Sequence, residues 1–215
     1  MELENIFSDS KWEMMAYLSH ESLSPSELAE KTGTSPANIS TQLKLLEALD
    51  FIEQEKLHSS AKGKPRKKYH LKKQFAYMMV CSKSLAGKKL VKLDSQATPF
   101  FSVWLACEPS LAMALLKFFL VNESLSKEFK AVSLVSGRNE EVELFVVHEA
   151  PQSFRHEFTV DCNEKHYAIK LLAHTMEEVE TGVVSKNEHF LGILRKSFVL
   201  SDKDGIMTRL KKGGK

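Results

Sequence analysis

Cysteine is scarce in this sequence, with three among 215 residues: Cys81, Cys107 and Cys162. No two fall within a short spacing, so there is no CxxC pair and no paired zinc knuckle. An odd, scattered set does not build a disulfide framework and fits a reducing cytosol. Six prolines and nine glycines are too few for a fibrous or low-complexity chain. The first residues, MELENIFSDS, lack the basic and apolar regions of a signal peptide. Long apolar runs are missing too. The richest stretch, Pro99 to Val121, is split by Glu108 and Pro109 and interrupted by Lys117. A membrane span needs about 20 mostly uncharged residues, so two buried helices are expected here. No P-loop and no GxGxxG phosphate cradle is present. A cytoplasmic protein without a membrane partner is expected.

What is present is ordinary in amount and uneven in placement. Apolar residues make up 43% and charged residues 27%, as in a soluble globular chain of one or two domains. The formal net charge is +2. That total is a cancellation. Residues 1–51 hold 9 acidic and 3 basic side chains, residues 52–95 hold 3 and 12, and residues 96–215 hold 16 and 15. The net charges are therefore −6, +9 and −1. Ala61 to Lys73, AKGKPRKKYHLKK, carries seven Lys or Arg and no acid. Such a block is either a solvated linker or a surface for a polyanion.

The flanking pattern decides for the surface. Lys11 to Ser19 reads as a helix, with Trp12, Met15 and Ala16 on one face and Leu18 adjoining. Ser24-Pro25-Ser26-Glu27 supplies a cap, a proline at the first helical position and a returning carboxylate. Leu28 and Ala29 are that helix's apolar side, and Gly33 ends it. Ser35 and Pro36 open a longer helix through Leu49, with Ile39, Leu43 and Leu46 facing a core. Its other side shows Asn38, Thr41 and Lys44, with Ser40 beside them. These are hydrogen-bonding groups and a cation, suited to base edges and phosphates. Phe51 to Glu55 and Arg66 to Leu71 then read as two strands around a polar loop with Gly63 and Pro65.

The stretch from Trp12 to Leu71 resembles the ArsR/MarR-like winged helix-turn-helix regulators. The residues that carry the resemblance are SPSELAEKTGTSPANISTQLKLLEALDFIEQEK and KGKPRKKYHL. It implies a third helix, residues 36–49, in the major groove and a basic wing, residues 57–68, on the backbone. Ser35, Asn38, Ser40, Thr41 and Lys44 are then groove candidates, and Lys62, Lys64, Arg66 and Lys67 phosphate candidates. The implied partner is double-stranded DNA, bound by a homodimer. A winged helix also serves as a protein-interaction module, but the basic wing favours DNA. This part has no cysteine, and His20, His58 and His70 are scattered, so no metal sensor and no cofactor is expected.

Phe75 to Cys81 and Lys88 to Leu93 read as strands around a turn at Leu85-Ala86-Gly87. This hairpin is expected to join the two halves and to offer a dimer or interdomain contact. Cys81 is expected to be a buried, inert thiol.

In residues 96–215, helices are expected at Pro99–Cys107, Pro109–Val121, from Thr175, and Asn187–Lys196. Strands are expected at Ala131–Val135, Glu141–Val147, Phe158–Asp161, Tyr167–Leu172 and Phe198–Leu200, with a turn at Ser136–Asn139. The segments AVSLVSGRNEEVELFVV and HTMEEVETGVVSKNEHFLGILRKSFVLSDKDG resemble the small nucleotidyltransferase fold. Active members of that family carry a Gly-Ser pair, an Asp-x-Asp and a third carboxylate, which hold two metals. Here Ser136-Gly137 stands for the pair, Glu141 and Glu143 for the paired acids, and Lys170 for the third acid. A lysine repels a metal, so the resemblance implies a domain that has lost catalysis. An unrelated α+β domain with Glu141 and Glu143 facing solvent fits the same alternation. Cys162, His166, His148 and His156 have zinc-ligand chemistry without a spacing that converges them. Asp202-Lys203-Asp204-Gly205 reads as a turn.

An α+β chain is therefore expected: a winged helix-turn-helix over 1–73, a connecting β-hairpin over 74–95, and a nucleotidyltransferase-like regulatory or interaction domain over 96–215. The function expected is sequence-specific DNA binding in transcription regulation, with no catalytic residues, no metal and no cofactor. The alternative is a nucleotidyltransferase that uses the winged helix to hold its substrate. The second domain's ligand or protein partner is left open.

Overall fold

The computed structural model describes residues 8–57, 66–94, 97–138 and 140–213. The chain forms two compact units that part after Lys92.

The first unit begins with three helices: α1 (Asp9–His20), α2 (Pro25–Thr32) and α3 (Pro36–Ala48). Ser24 and Glu27 form the expected capping box. The Ser24 hydroxyl accepts the Glu27 N–H at 3.3 Å, and the Glu27 carboxylate accepts the Ser24 N–H at 2.7 Å. Two otherwise unpaired donors at the start of α2 are thereby satisfied. Gly33 closes α2 with φ at +64°, a conformation that a side chain would strain. Strands β1 (Ile52–Leu57) and β2 (Arg66–Leu71) pair antiparallel from Ile52 opposite Leu71 to Leu57 opposite Arg66. Leu23 adds a one-residue bridge to Tyr69, with backbone bonds of 3.0 and 2.8 Å running both ways. The turn between α1 and α2 is thus stitched to the hairpin.

The core of this unit joins Met14, Met15 and Leu18 of α1 to Leu28, Ile39, Leu43, Leu46, Phe51, Ile52 and Tyr69. The inward stripe of α1 is therefore Met14, Met15 and Leu18, not the Trp12–Met15–Ala16 face expected. Trp12 is 54% exposed and Ala16 is also outside. Both patterns have helical spacing, and hydrophobicity alone ranked the tryptophan too high.

Strands β3 (Phe75–Cys81) and β4 (Ala86–Lys92) form the second hairpin. It groups with the first unit, because Phe75 and Leu90 at its root pack against that core. The Phe75 ring lies 4.8 Å from the Phe51 ring. Pairing continues to Cys81 opposite Ala86, so the reversal falls at residues 82–85, ahead of the expected turn. The outer half stands clear of the core. Cys81 is exposed, which corrects the expectation of a buried thiol.

The second unit opens with α4 (Ala97–Ala106), α5 (Pro109–Val121) and α6 (Glu123–Glu128). Then come β5 (Ala131–Arg138), β6 (Glu141–Val147), a 3-10 turn at Pro151–Ser153, β7 (Glu157–Cys162) and β8 (Lys165–His174). Helices α7 (Met176–Val184) and α8 (Glu188–Lys196), strand β9 (Phe198–Asp202) and α9 (Ile206–Gly213) complete it. The five strands lie in the order β7-β8-β6-β5-β9, with β6 and β8 parallel and the other neighbours antiparallel. Strand alternation divides the burial. Val142, Leu144 and Val146 meet α4 and α5 on one face, while Phe145 and Val147 meet α7, α8 and α9 on the other.

Two expectations change. Ser136 to Arg138 are strand, not turn, paired with Glu143 to Glu141 past a bulge after Leu134. Asp202 is more than a turn residue: its carboxylate accepts the N–H groups of Met207 and Thr208, both at 3.2 Å, and so caps α9. No helix among the described residues is long and apolar enough to cross a membrane.

Gly182 on α7 lies under the Phe190 ring of α8. A Cβ there would stand 2.1 Å from a ring carbon. The ring is itself packed by His174 and His189, with centroids 5.0 and 5.2 Å away. Alanine gains about 1 kcal/mol of helix propensity over glycine, whereas overpacking a core costs about 1–3 kcal/mol. Gly182→Ala is therefore expected to lower the thermal unfolding midpoint followed by circular dichroism. A raised midpoint would mean that the Phe190 ring yields freely.

Candidate nucleic-acid interface

Helix α3 has two unlike sides. Ile39, Leu43 and Leu46 are at most 1% exposed and fix the helix by burial. Ala37, Asn38, Thr41, Lys44 and Ala48 are exposed on the opposite side, and no acid is among them. Of the five expected groove residues, three therefore share one open ridge: Asn38, Thr41 and Lys44. Ser40 is half-buried, and its hydroxyl donates to the Pro36 carbonyl at 2.7 Å. The Ser35 hydroxyl accepts the Asn38 N–H at 3.3 Å and serves as the cap of α3. Its placement has a local structural cause.

Asn38 is the most constrained of the three. Its amide nitrogen donates to the Thr34 hydroxyl at 3.1 Å, and its amide oxygen accepts from Gln42 at 3.0 Å. Gln42 in turn accepts from Ser10 on α1 at 3.5 Å. Asn38 and Gln42 are one turn apart on α3, and Thr34, just ahead of the Ser35 cap, continues the line toward the helix start. Sequence reading singled out Asn38 and missed the other two, although this spacing was there to find. Thr41 is exposed, and its hydroxyl donates to the Ala37 carbonyl at 3.1 Å. Among the described residues, no carboxylate pairs with Lys44 or Lys67.

The hairpin's cations divide into two sets. Lys62 and Lys64 lie outside the described residues, and Arg66 is placed by its backbone alone, opposite Leu57. Lys67 is exposed on β2. Lys68 pairs with Glu27 at 3.5 Å. Lys72 and Lys73 both pair with Asp50, the former at 2.5 Å. The basic block is thus partly neutralised at its inner end, while Lys67 stays exposed with no carboxylate partner among the described residues. His70 is likewise taken up, at 3.0 Å from Glu53 across the strands.

The acidic positions of the second unit form no matching centre. Glu141 and Glu143 share a sheet face, since Val142 between them is buried. Lys170 lies opposite Glu143 on β8, and Glu157 lies opposite Lys170 on β7. Alternating charges across three strands are a solvated and mutually favourable row. Cys162, His166, His148 and His156 stay apart in function. His166 pairs with Asp161, His148 lies 3.1 Å from Glu128, and His156 meets the Pro151 carbonyl. Among the described residues, no three His, Cys, Asp or Glu side chains gather as metal ligands.

Three helices, a strand bridge, and a hairpin stacked behind an outward-facing third helix define a winged helix-turn-helix. Residues 7–58 match the model of the MarR family. A comparison with curated proteins finds no match for the chain. The first unit thus carries a winged helix-turn-helix domain of MarR/ArsR type, and DNA binding in transcription regulation is that family's general function. The match ends at residue 58 and says nothing of the second unit.

Asp50 follows α3 with φ at +64°. Hydrogen bonds from Lys72 and Lys73 hold its carboxyl down at about 2. A carboxyl depressed by folding stabilises the protein above its ordinary value near 4, and that stability is lost as pH falls through about 2. Asparagine tolerates this backbone, so Asp50→Asn removes the charge alone. The variant is expected to have a lower urea midpoint than the parent at neutral pH, with the gap closing between about pH 4 and pH 2. A gap that persists at pH 2 would assign the effect to something other than this carboxylate.

Proposed function

We propose that the chain is a sequence-specific transcription regulator that binds double-stranded DNA in the cytoplasm as a homodimer. Helix α3, residues 36–49, lies in the major groove, and the basic wing, residues 57–68, lies on the backbone. The observation that carries this reading is the acid-free ridge of Asn38, Thr41 and Lys44, held outward by the buried stripe behind it. Asn38 is the base-reading residue, because its amide is already oriented by Thr34 and Gln42. An asparagine amide matches the paired donor and acceptor edge of adenine. Thr41 offers a methyl and a hydroxyl to neighbouring bases. Lys44, Lys62, Lys64, Arg66 and Lys67 neutralise phosphates. Ser35 and Ser40 act through the helix, by capping and bracing it.

The proposal gives the second unit a regulatory or interaction role and no catalytic step. Lys170 beside Glu143 supports this, since it places a positive charge where nucleotidyl transfer needs a metal.

Selection of bound sites from random DNA with the full-length chain tests the reading. A palindromic site is expected, because a symmetric dimer reads two half-sites. Asn38→Ala is expected to relax preference at one base position, with about 1–3 kcal/mol of discrimination removed. Replacing Lys62, Lys64, Arg66 and Lys67 by alanine is expected to weaken binding to all sequences. It should also flatten the salt dependence by about 0.9 in slope for each phosphate that is no longer neutralised. Unchanged binding of that variant would contradict the wing. Nucleotide transfer with Mg²⁺ that Glu143→Gln abolishes would overturn the non-catalytic role.

A further inference from the structure

Strand β5 outlasts its neighbour on one side. It pairs with β9 from Ala131 opposite Asp202 only to Leu134 opposite Phe198. From Val135 to Arg138 the β9 side of β5 has no strand partner among the described residues. The bulge after Leu134 turns the strand at the point where that partner stops. Bulges of this kind recur where a strand is re-aimed toward a site. The ledge so formed borders a cavity of about 310 Å³. Cys107 and Leu111 wall it from the helical layer, and Lys196 and Phe198 from the α8–β9 corner.

The ledge carries two cations. Arg138 and Lys196 both line it, both are exposed, and among the described residues no carboxylate pairs with either. Helix α5 begins at its rim with no side chain capping the first turn. Its positive end and the open strand edge add N–H groups to the two cations, and such edges are anion-binding concavities. Among the described residues that line the cavity, Glu108 is the acid, and its carboxylate accepts the Ser110 hydroxyl at 2.8 Å. Leu111, Leu134 and Phe198 supply apolar area beside the charge. Glu141 and Glu143 do not line the cavity, although Glu141 lies directly across from Arg138 on β6.

We propose that this ledge binds a small organic anion, a carboxylate or phosphate ester on a compact apolar body, with Arg138 and Lys196 as its charge partners. The apolar body rests on Leu111 and Phe198, and the anionic group meets the strand edge at Ser136 to Arg138. Cys107 takes no covalent part. Burial pushes its thiol up to about 11, so it stays protonated at neutral pH. The site lies within the second unit and stands apart from the DNA-binding reading.

Amide NMR titration of the full chain with benzoate, phenyl phosphate and neutral benzyl alcohol tests the proposal. Saturable shifts are expected at Val135 to Arg138 and Lys196 with an anionic probe, and none with benzyl alcohol. Response to phenyl phosphate alone assigns a phosphate ester, and response to benzoate alone assigns a carboxylate. Arg138→Gln and Lys196→Gln are surface changes, and each is expected to weaken binding by about tenfold or more, as removal of a charge-assisted hydrogen bond does. Equal response to benzyl alcohol, no saturable shift with either anion, or shifts confined to the wing near Lys67 would each overturn it. Parent-like affinity in the double variant would overturn it as well.

Discussion

Burial of the Ile39–Leu43–Leu46 stripe is the interaction on which the first unit depends. Each of these side chains is worth about 1.5–3 kcal/mol when taken out of water. Together they fix the rotation of α3 about its own axis, and a helix so fixed has no choice about its opposite face. The polar ridge is therefore a consequence of packing. Around it, Ser24 and Ser35 set where α2 and α3 begin, and the Leu23–Tyr69 bridge ties the helices to the hairpin. The order of these supports along the chain is local, so short stretches of sequence suffice to place them.

This locality explains what was legible. Ser-Pro caps, Gly33, the α3 stripe and every strand of the second unit's sheet were readable, because each is written within about ten residues. The misreadings share the opposite property. Trp12 and Cys81 are apolar residues whose exposure depends on what else packs nearby, and hydrophobicity does not report that. Ser136 and Gly137 have turn chemistry, yet pairing with β6 draws them into a strand. Helix α6 went unread because its sequence is short and polar, and α9 because its apolar Ile206, Met207 and Leu210 span little more than one turn. α9 is held by a carboxylate that sequence reading took for part of a turn.

The same distinction applies to the candidate sites. Asn38, Thr41 and Lys44 were readable from helical spacing alone. The supports of Asn38 were missed, since a hydrogen-bonded line of Thr34, Asn38 and Gln42 is polar throughout and lacks a hydrophobic period. The division of the basic block was unreadable, because Asp50 and Glu27 lie outside it in sequence and reach it only in the fold. In the second unit, Glu141 and Glu143 have the spacing of paired acids, but Lys170 and Glu157 complete an alternating row with Glu143 that only strand pairing reveals.

The pairing of β5 with β9 has a consequence for how the chain comes off the ribosome. Strand β5 is made some 60 residues before the strand that covers its edge. The first unit closes its core within Lys92 and is free to fold as soon as it emerges, as N-terminal domains do during synthesis. The second unit's sheet is incomplete, with Ala131 to Leu134 uncovered on the side away from β6, until Phe198 to Asp202 arrive. At about 5–20 residues per second that wait lasts several seconds. During it that edge is open to pairing with another strand.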